Sequence, residues 1–505
     1  MNCAGSFVSG ADAPEQRRRD AGLRPDVVSG LVARAGSPDF DRWAAQVRRT
    51  GGCARPVHLA GSVEAINTTT GELHEYSTRS EAARALLVPC GSRHASRCRS
   101  CAATYRADLA HLIRAGLLGG KGRAVSVRGH PRVFVTLTAP SFGPVHTRRF
   151  DRGGRALPCR PRRRGERCGH GEDTSCRATH ENGDAVLGMP LCVACFDYAG
   201  AVLWNAHAGA LWRRFTIYLP RVLAEQSGVT VKELRAAVRV SFAKVAEFQR
   251  RGLVHFHAVI RLDDGDNPDA APRPAYGTGE LAAAVQAAVR RVSVQTPDGA
   301  AVAGYLCRFG AQLDVQPIPA ASAEETAAGG ERRVIGYLVK YATKSVDSAG
   351  GSTAGELAAL DRRVNSGAEI RRLPVPVHYR AMIGTAWRLG ALPELADLRL
   401  RRAAHQLGYR GPVMSRSRVY STTLTALRGA RQTYRAEQAR RAGRDTFLGA
   451  IDDRDDIDVT AQWEYQRSGY RNVADAMLAH GIRDEMQARR EAARDAASND
   501  GKIDT

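Results

Sequence analysis

The chain has 505 residues, a formal net charge of +22 and 43% hydrophobic residues. This length predicts about three domains, because a domain usually holds roughly 100–200 residues, and the hydrophobic share is ordinary for a globular protein with a buried core. The sequence lacks a run of about 18 apolar residues, which argues against a transmembrane helix. Its first residues lack the apolar segment of a signal peptide, so we expect a cytoplasmic protein with no membrane partner.

The positive charge predicts a polyanionic partner, most simply nucleic acid. Almost all of this charge is arginine, since the chain contains only six lysines. An arginine excess also arises from GC-rich coding, and under that alternative the surface is basic all the same. The scarcity of lysine makes the positions of Lys340 and Lys344 informative.

The first half of the chain is predicted to be rich in cysteine and poor in regular structure. Residues 1–50 form a polar, partly disordered arm with one helix near Phe40–Arg49. Residues 51–125 form a cysteine-rich, zinc-binding domain. A central domain at 126–350 begins with a strand at 132–139, where the sequence RVFVTLTA is rich in β-branched residues, and it carries a cysteine-rich insertion at about 150–198.

A helix is predicted at 200–225, and a β-hairpin follows it. The hairpin strands, Val238–Phe248 and 253–262, are joined by Gln-Arg-Arg-Gly. The rest of the chain alternates between predicted loops and helices. These are a loop at 263–276, a helix at 277–308, a linker at 320–330, a helix at 334–344, a basic helical DNA-binding part at 357–440 and a helical to disordered tail at 441–505. The sequence contains no GxxxxGK[ST] phosphate loop, so we expect no ATP motor in it.

The eleven cysteines include two Cys-x-x-Cys pairs, which favours metal binding over disulfides in a cytosolic chain. Cys90, Cys98 and Cys101 make most of one zinc site. Cys53 is the natural fourth ligand, and His94 is the alternative.

A second four-thiolate zinc site is predicted in the insertion. Its ligands are Cys159, Cys168, Cys192 and Cys195, with His170, Cys176 and His180 as spare candidates. Closed four-ligand sites would stabilise these stretches, which have little apolar material of their own. We therefore expect about two structural Zn²⁺ ions, with Cys3 and Cys307 free.

The segment Leu253–Ile260 contains a His-x-His motif within an apolar strand. Residues i and i+2 of a strand share a face, so His255 and His257 can hold one metal ion. If the hairpin has a three-residue turn, Glu247 lies opposite His255 on the same face, and this ligand set suits Mg²⁺ or Mn²⁺. A two-residue turn would place Glu247 on the other face. The alternative for Glu247 is an exposed carboxylate paired with Arg250 or Arg251.

The predicted helix at 334–344 places Tyr337, Tyr341 and Lys344 on one face. Lys340 and Lys344 flank Tyr341, and a nearby ammonium group favours the phenolate and steadies a phosphate, as a tyrosine nucleophile requires. The alternative is an amphipathic helix with buried tyrosines.

Arginines interleaved with Ser, Thr and Tyr at 415–431 suit contacts with DNA phosphates. The alternative is a solvated helix face. The predicted DNA-binding arginines are Arg250, Arg251, Arg416, Arg418 and Arg428.

Taken together, these motifs resemble those of the HUH endonucleases, the rolling-circle initiators and their relatives. His255-Phe256-His257 resembles the His-hydrophobe-His motif, VFVTLTAP at 133–140 the first motif, and YLVKYATK at 337–344 the tyrosine motif. The resemblance extends over roughly residues 50–440 to the replication initiators of actinobacterial plasmids and integrative conjugative elements. It includes the cysteine clusters, EFQRRGLVHFHAVIRLD, GYLVKYATKS and SRSRVYSTTLTALRGAR.

The resemblance implies an α+β fold, in which an antiparallel sheet of the ferredoxin-like or RRM-like kind has flanking helices. It implies that Tyr341 attacks a phosphate of origin DNA beside a divalent metal, forming a 5′-phosphotyrosine and a 3′-OH primer. Some relatives carry a glutamate four residues before the nucleophile, whereas others carry a second tyrosine, and Tyr337 matches the second pattern. The resemblance also implies single- and double-stranded origin DNA, a host helicase and a polymerase as partners.

Two other functions fit parts of the sequence. A conjugative relaxase or transposase would use the same chemistry, but relaxases usually place the tyrosine before the histidines. A non-enzymatic, zinc-dependent DNA-binding regulator would use the histidines and tyrosines for packing alone.

Overall fold

The computed structural model describes residues 24–162, 167–272, 276–299, 303–318, 334–338, 363–441 and 457–500. Strands and helices are numbered separately in chain order. The strands are β1 Val57–Asn67, β2 Leu73–Ser77, β3 Leu86–Val88, β4 Arg132–Leu137, β5 Arg149–Phe150, β6 Ala156–Leu157, β7 Val238–Phe248, β8 Val254–Asp264, β9 Ser293–Gln295, β10 Leu306–Arg308, β11 Leu313–Pro317, β12 Met414–Arg416 and β13 Ile457–Ser468. The helices are α1 Pro25–Ala35, α2 Phe40–Arg49, α3 Arg99–Leu118, α4 Tyr198–Gln226, α5 Val231–Ala237, α6 Thr278–Arg291, α7 Gly367–Arg371, α8 Val377–Leu389, α9 Leu400–Ala403, α10 Leu424–Arg441 and α11 Val473–Asp500.

The chain divides into two compact units. A terminal unit combines Met1–Tyr105 with Gln432–Thr505, and a central unit comprises Arg106–Arg431. This division differs from the sequence-based domains, because the N-terminal arm and the C-terminal tail belong to the same unit as the first cysteine cluster.

A five-stranded antiparallel sheet forms the centre of the central unit, in the order β11-β4-β8-β7-β12. The predicted hairpin is present as β7 and β8, and its turn leaves Glu247 opposite His255 and Val245 opposite His257. Gly252 adopts a φ of 76° in this turn, a conformation that glycine takes without steric cost. The fold is therefore mixed α and β with an antiparallel sheet, as the sequence predicted.

The two faces of this sheet have different partners because side chains alternate along each strand. On one face, Phe256 and neighbouring apolar residues pack with α4, which contributes the buried Trp212 and Phe215. On the other face lie the two histidines of β8. Farther along that face, Arg132 and Arg261 are fully buried, and Arg132 donates to the carbonyl oxygen of Leu117 at 2.6 Å. Arg132 thereby caps the C-terminus of α3.

Two sequence-based assignments in the central unit are wrong in part. The helix predicted at 277–308 ends at Arg291, and a short β9–β10 pair follows it. Pro297 and Gly299 interrupt the helical pattern of this segment at 277–308. The basic part at 357–440, predicted as helical, contributes the edge strand Met414–Arg416, which pairs with β7.

The terminal unit contains a second antiparallel sheet. Its central strand β1 pairs with β13 on one side and with β2 and β3 on the other. Trp43, Val47, Leu87 and Ile482 form part of its buried core. The prediction of a helical to disordered tail at 441–505 is wrong for β13, which pairs with β1 along its length.

Within the described part of the chain, we find no helix with the length and apolarity that crossing a membrane requires.

Candidate functional site

Glu247, His255 and His257 lie together on one face of the central sheet. The Nε2 atom of His255 is 3.0 Å from Glu247 Oε2 and 3.2 Å from the Nε2 atom of His257, which is 3.4 Å from the same carboxylate oxygen. Ligands about 2.1 Å from an octahedral metal stand about 3.0 Å apart when they are neighbours. The three ligand atoms therefore have the spacing of one face of a coordination sphere.

The sheet orients His257 through its second ring nitrogen. Thr136 on β4 lies opposite His257, and its Oγ1 atom is 3.1 Å from His257 Nδ1. Such a partner fixes the orientation of a metal-binding imidazole and leaves the other nitrogen for the ion. The ring of Phe134 stacks on His257 with centroids 5.9 Å apart and an interplanar angle of 9°. The side chain of His257 is only 1% exposed, whereas that of His255 is 14% exposed.

This donor set fits a divalent cation. One carboxylate and two imidazoles on a single face leave the remaining coordination positions open for water or for oxygens of a substrate. Because the protein ligands all come from paired strands, their relative positions are fixed by the sheet before any ion binds.

Tyr337 lies beside this triad. Its ring centroid is 5.0 Å from that of His257 and 5.4 Å from that of Phe134, with interplanar angles of 86° and 88°. It is 38% exposed. The helical residues 334–338 thus bring one of the two motif tyrosines to this triad. Tyr341, Lys340 and Lys344 lie outside the described residues.

The first cysteine cluster contains the four residues that the sequence singled out, without His94. The Sγ atom of Cys53 is 3.8 Å from that of Cys98 and 3.7 Å from that of Cys101, and Cys90 and Cys101 are 3.7 Å apart. Sulfurs bound to one tetrahedral Zn²⁺ stand about 3.8 Å apart, whereas a disulfide holds its sulfurs about 2.05 Å apart. Hydrogen bonds with Cys101 and Cys98 raise the pKa of Cys53.

The four-thiolate site predicted in the insertion is wrong. Cys159 lies with Cys176 and two histidines, His146 and His180, whereas the other three cysteines lie with His170. The second group consists of Cys168, His170, Cys192 and Cys195. The prediction missed His146 because it lies 13 residues before Cys159, without a nearby Cys-x-x-Cys pair to indicate it.

The structure gives Arg250 and Arg251 a role other than the predicted DNA contact. Arg250 donates to the carbonyl oxygens of Asn182 at 2.5 Å and Asp184 at 3.1 Å. Arg251 donates to the carbonyl oxygens of Ala139 at 2.8 Å and Pro140 at 2.9 Å. Through these hydrogen bonds, the two guanidinium groups connect the β7–β8 turn to the insertion and to the segment that follows β4.

The three other predicted DNA-binding arginines differ in exposure. Arg416 is half-buried and donates to the carbonyl oxygens of Ser417 and Arg418. Arg418 and Arg428 are exposed. Of the five predicted arginines, these two are the exposed ones.

The sequence is similar to known proteins over most of its length. Residues 39–484 match the family RepSA, described as "Replication initiator protein, pSAM2". A replication initiator protein from Streptomyces ambofaciens is 43% identical over 485 residues, an alignment that covers 94% of this chain and 97% of the relative. No solved structure matches the chain significantly.

Proposed function

This chain belongs to the RepSA family of replication initiator proteins, and we propose that it starts rolling-circle replication by nicking one strand of origin DNA. The observation that carries this proposal is the triad of Glu247, His255 and His257, with the ring of Tyr337 against His257. A carboxylate and two imidazoles at one place can hold the divalent metal of a metal-assisted transesterification of DNA, and Tyr337 brings the start of the tyrosine motif beside them.

We assign the nucleophile to Tyr341. Tyr337 contacts His257, and Tyr341 follows it by four residues in the sequence, the spacing of one helical turn. Tyr341 gives its phenolic proton to solvent, its oxygen attacks the scissile phosphorus, and the bond from phosphorus to the 3′ oxygen breaks. A 5′-phosphotyrosine forms, and the 3′ oxygen takes a proton from solvent to become the 3′-OH primer.

The remaining side chains orient and stabilise the reactants in this proposal. Lys340 and Lys344 are the nearest lysines to Tyr341 in the sequence, and their charges would favour its phenolate and the pentavalent phosphate. Thr136 and Phe134 hold the His257 ring. Mg²⁺ or Mn²⁺ held by Glu247, His255 and His257 would supply Lewis-acid polarisation of the phosphate.

Two further features belong to this proposal. The cluster of Cys53, Cys90, Cys98 and Cys101 would hold a structural Zn²⁺, since its sulfur spacing fits that ion. The exposed Arg418 and Arg428 would contact phosphates of the origin duplex. The sequence carries no phosphate-loop motif, so a host helicase would unwind the template and a host polymerase would extend the 3′-OH.

A nicking assay on supercoiled plasmid tests this function. With the cognate origin and Mn²⁺ or Mg²⁺, the wild-type protein should convert supercoiled plasmid to open circle and remain covalently attached to the DNA. A plasmid without the origin, and a reaction with a chelator, should remain supercoiled. Origin binding without any open-circle product under these conditions would instead indicate a non-enzymatic DNA-binding regulator.

A further inference from the structure

The two Cys and His clusters of the insertion alternate along the chain. The first cluster uses His146 and Cys159, and then Cys176 and His180. The second cluster uses Cys168 and His170, which lie between these two pairs in the sequence, and Cys192 and Cys195, which follow them. Each cluster therefore closes a loop that contains ligands of the other.

The spacing of the ligand atoms fits two tetrahedral zinc ions. Nitrogens bound to one Zn²⁺ stand about 3.4 Å apart, and a nitrogen and a sulfur about 3.6 Å apart. In the first cluster, His180 Nε2 is 3.2 Å from His146 Nδ1 and 3.5 Å from Cys176 Sγ. In the second cluster, His170 Nδ1 is 3.3 Å from Cys195 Sγ and 3.9 Å from Cys192 Sγ.

A carboxylate outside the first cluster orients one of its histidines. Asp184 Oδ2 is 3.0 Å from His180 Nδ1, so that Nε2 of the same ring points to Cys176 and His146. A carboxylate that holds the far nitrogen of an imidazole is the usual outer partner of a zinc-bound histidine. This contact is independent of the ligand spacing and indicates the same ion.

The first cluster is also linked to the turn between the metal-binding strands. The main-chain oxygen of Asp184 accepts a hydrogen bond from Arg250, which lies three residues after Glu247. Gly188 packs against the same turn, where an added Cβ would stand 2.6 Å from the main-chain carbon of Arg250. An ordered insertion therefore holds the β7–β8 turn in place through these two contacts.

We infer that the insertion is a cross-braced module of two zinc ions, one held by His146, Cys159, Cys176 and His180 and the other by Cys168, His170, Cys192 and Cys195. The first zinc fixes the β7–β8 turn through Asp184 and Arg250. Because the loops interlock, neither site can close fully without ordering part of the other.

Zinc content of the full-length protein tests the ligand assignment. Wild type should hold three Zn²⁺ per chain, two in the module and one on the Cys53 cluster. His146→Ala and His180→Ala should each remove at least one, whereas His111→Ala, at an exposed histidine outside all clusters, should leave three. A zinc content that neither ligand variant lowers would overturn the assignment, whatever the Cys53 cluster binds.

His180→Cys provides a test in which the site is kept. A cysteine can replace a histidine as a zinc ligand, so this variant should still bind three ions. After Co²⁺ substitution, its thiolate charge-transfer absorption should exceed that of wild type by the contribution of one additional Co–S bond. An unchanged spectrum would remove His180 from the coordination sphere.

Hydrogen exchange tests the link to the turn without measuring nicking. Backbone amides of residues 249–252 should exchange at least tenfold faster in His180→Ala than in wild type, and at the wild-type rate in His111→Ala. Unchanged exchange in His180→Ala would refute the link between the first zinc site and the β7–β8 turn. The zinc ligands themselves are tested separately by the zinc content.

Discussion

Replacing the buried Lys244 with methionine should stabilise the protein. Lys244 lies on the apolar face of β7 and is 2% exposed. Its ammonium group is 4.2 Å from the ring centroid of Phe256 and 5.7 Å from that of Trp212. Burial lowers the pKa of this lysine to about 8, so the charged form destabilises the folded state at neutral pH.

The magnitude follows from the pKa difference between the folded and unfolded chains. A pKa of about 8 in place of 10.5 corresponds to about 3 kcal/mol of folding free energy. Methionine removes this cost but also removes the attraction between the ammonium group and the rings, about 1–2 kcal/mol at a desolvated site. We therefore expect Lys244→Met to raise the free energy of unfolding at pH 7 by about 1–2 kcal/mol.

The gain should depend on pH in a defined direction. Below pH 8, Lys244 is protonated in both states and its destabilising effect is complete. Between pH 8 and 10.5, the folded state loses the proton first, so wild-type stability rises relative to that of Lys244→Met. The advantage of the variant should therefore shrink as the pH rises through this window.

Urea unfolding at pH 7, 8.5 and 9.5, followed by tryptophan fluorescence, measures the stability gain of Lys244→Met and its dependence on pH. Lys232→Met is the matched control, because Lys232 is exposed on α5, and it should change stability by less than about 0.5 kcal/mol. A destabilised Lys244→Met, or a gain that does not vary with pH, would refute the argument from burial.

The remaining predictions concern the metal site and its neighbours. Glu247→Gln and His257→Ala should each reduce Mn²⁺-dependent nicking at least a hundredfold without loss of origin binding, whereas the control His111→Ala should nick normally. Near-normal nicking in Glu247→Gln or His257→Ala would contradict the assignment of the triad as the metal site. Thr136→Val should weaken Mn²⁺ binding about tenfold in a calorimetric titration, because His257 loses its orienting partner, and an unchanged affinity would assign Thr136 to packing only. Tyr337→Phe should still form the covalent adduct but rejoin the cleaved strand more slowly in a strand-transfer assay, whereas loss of the first cleavage would make Tyr337 the initial nucleophile.

Local patterns in the sequence were sufficient to predict the β7–β8 hairpin. The Gln-Arg-Arg-Gly turn and the flanking β-rich runs predicted the hairpin but left two registers open, and the structure has the one that places Glu247 opposite His255. Such a hairpin is specified by residues close together in the sequence, and alternation along the strands assigns each side chain to a face.

Contacts between distant segments could not be read in the same way. β13 carries a clear alternation, with Val459, Trp463 and Tyr465 separated by polar residues, but its partner β1 is about 400 residues away in the chain. The alternation was a usable signal for a strand, and its position in a polar C-terminal region obscured it. Partitioning of the insertion ligands was harder still, because spacing does not specify which cysteines share an ion.

The most direct test of the central claim is to identify the residue that becomes attached to DNA. After reaction with an origin strand and nuclease trimming, trypsin should separate the two tyrosines, because Arg333, Lys340 and Lys344 place Tyr337 in the peptide 334–340 and Tyr341 in the peptide 341–344. We predict a nucleotide adduct on Tyr341, carried through a 5′ phosphate. An unmodified Tyr341 in protein that has nicked the origin would contradict the proposed mechanism.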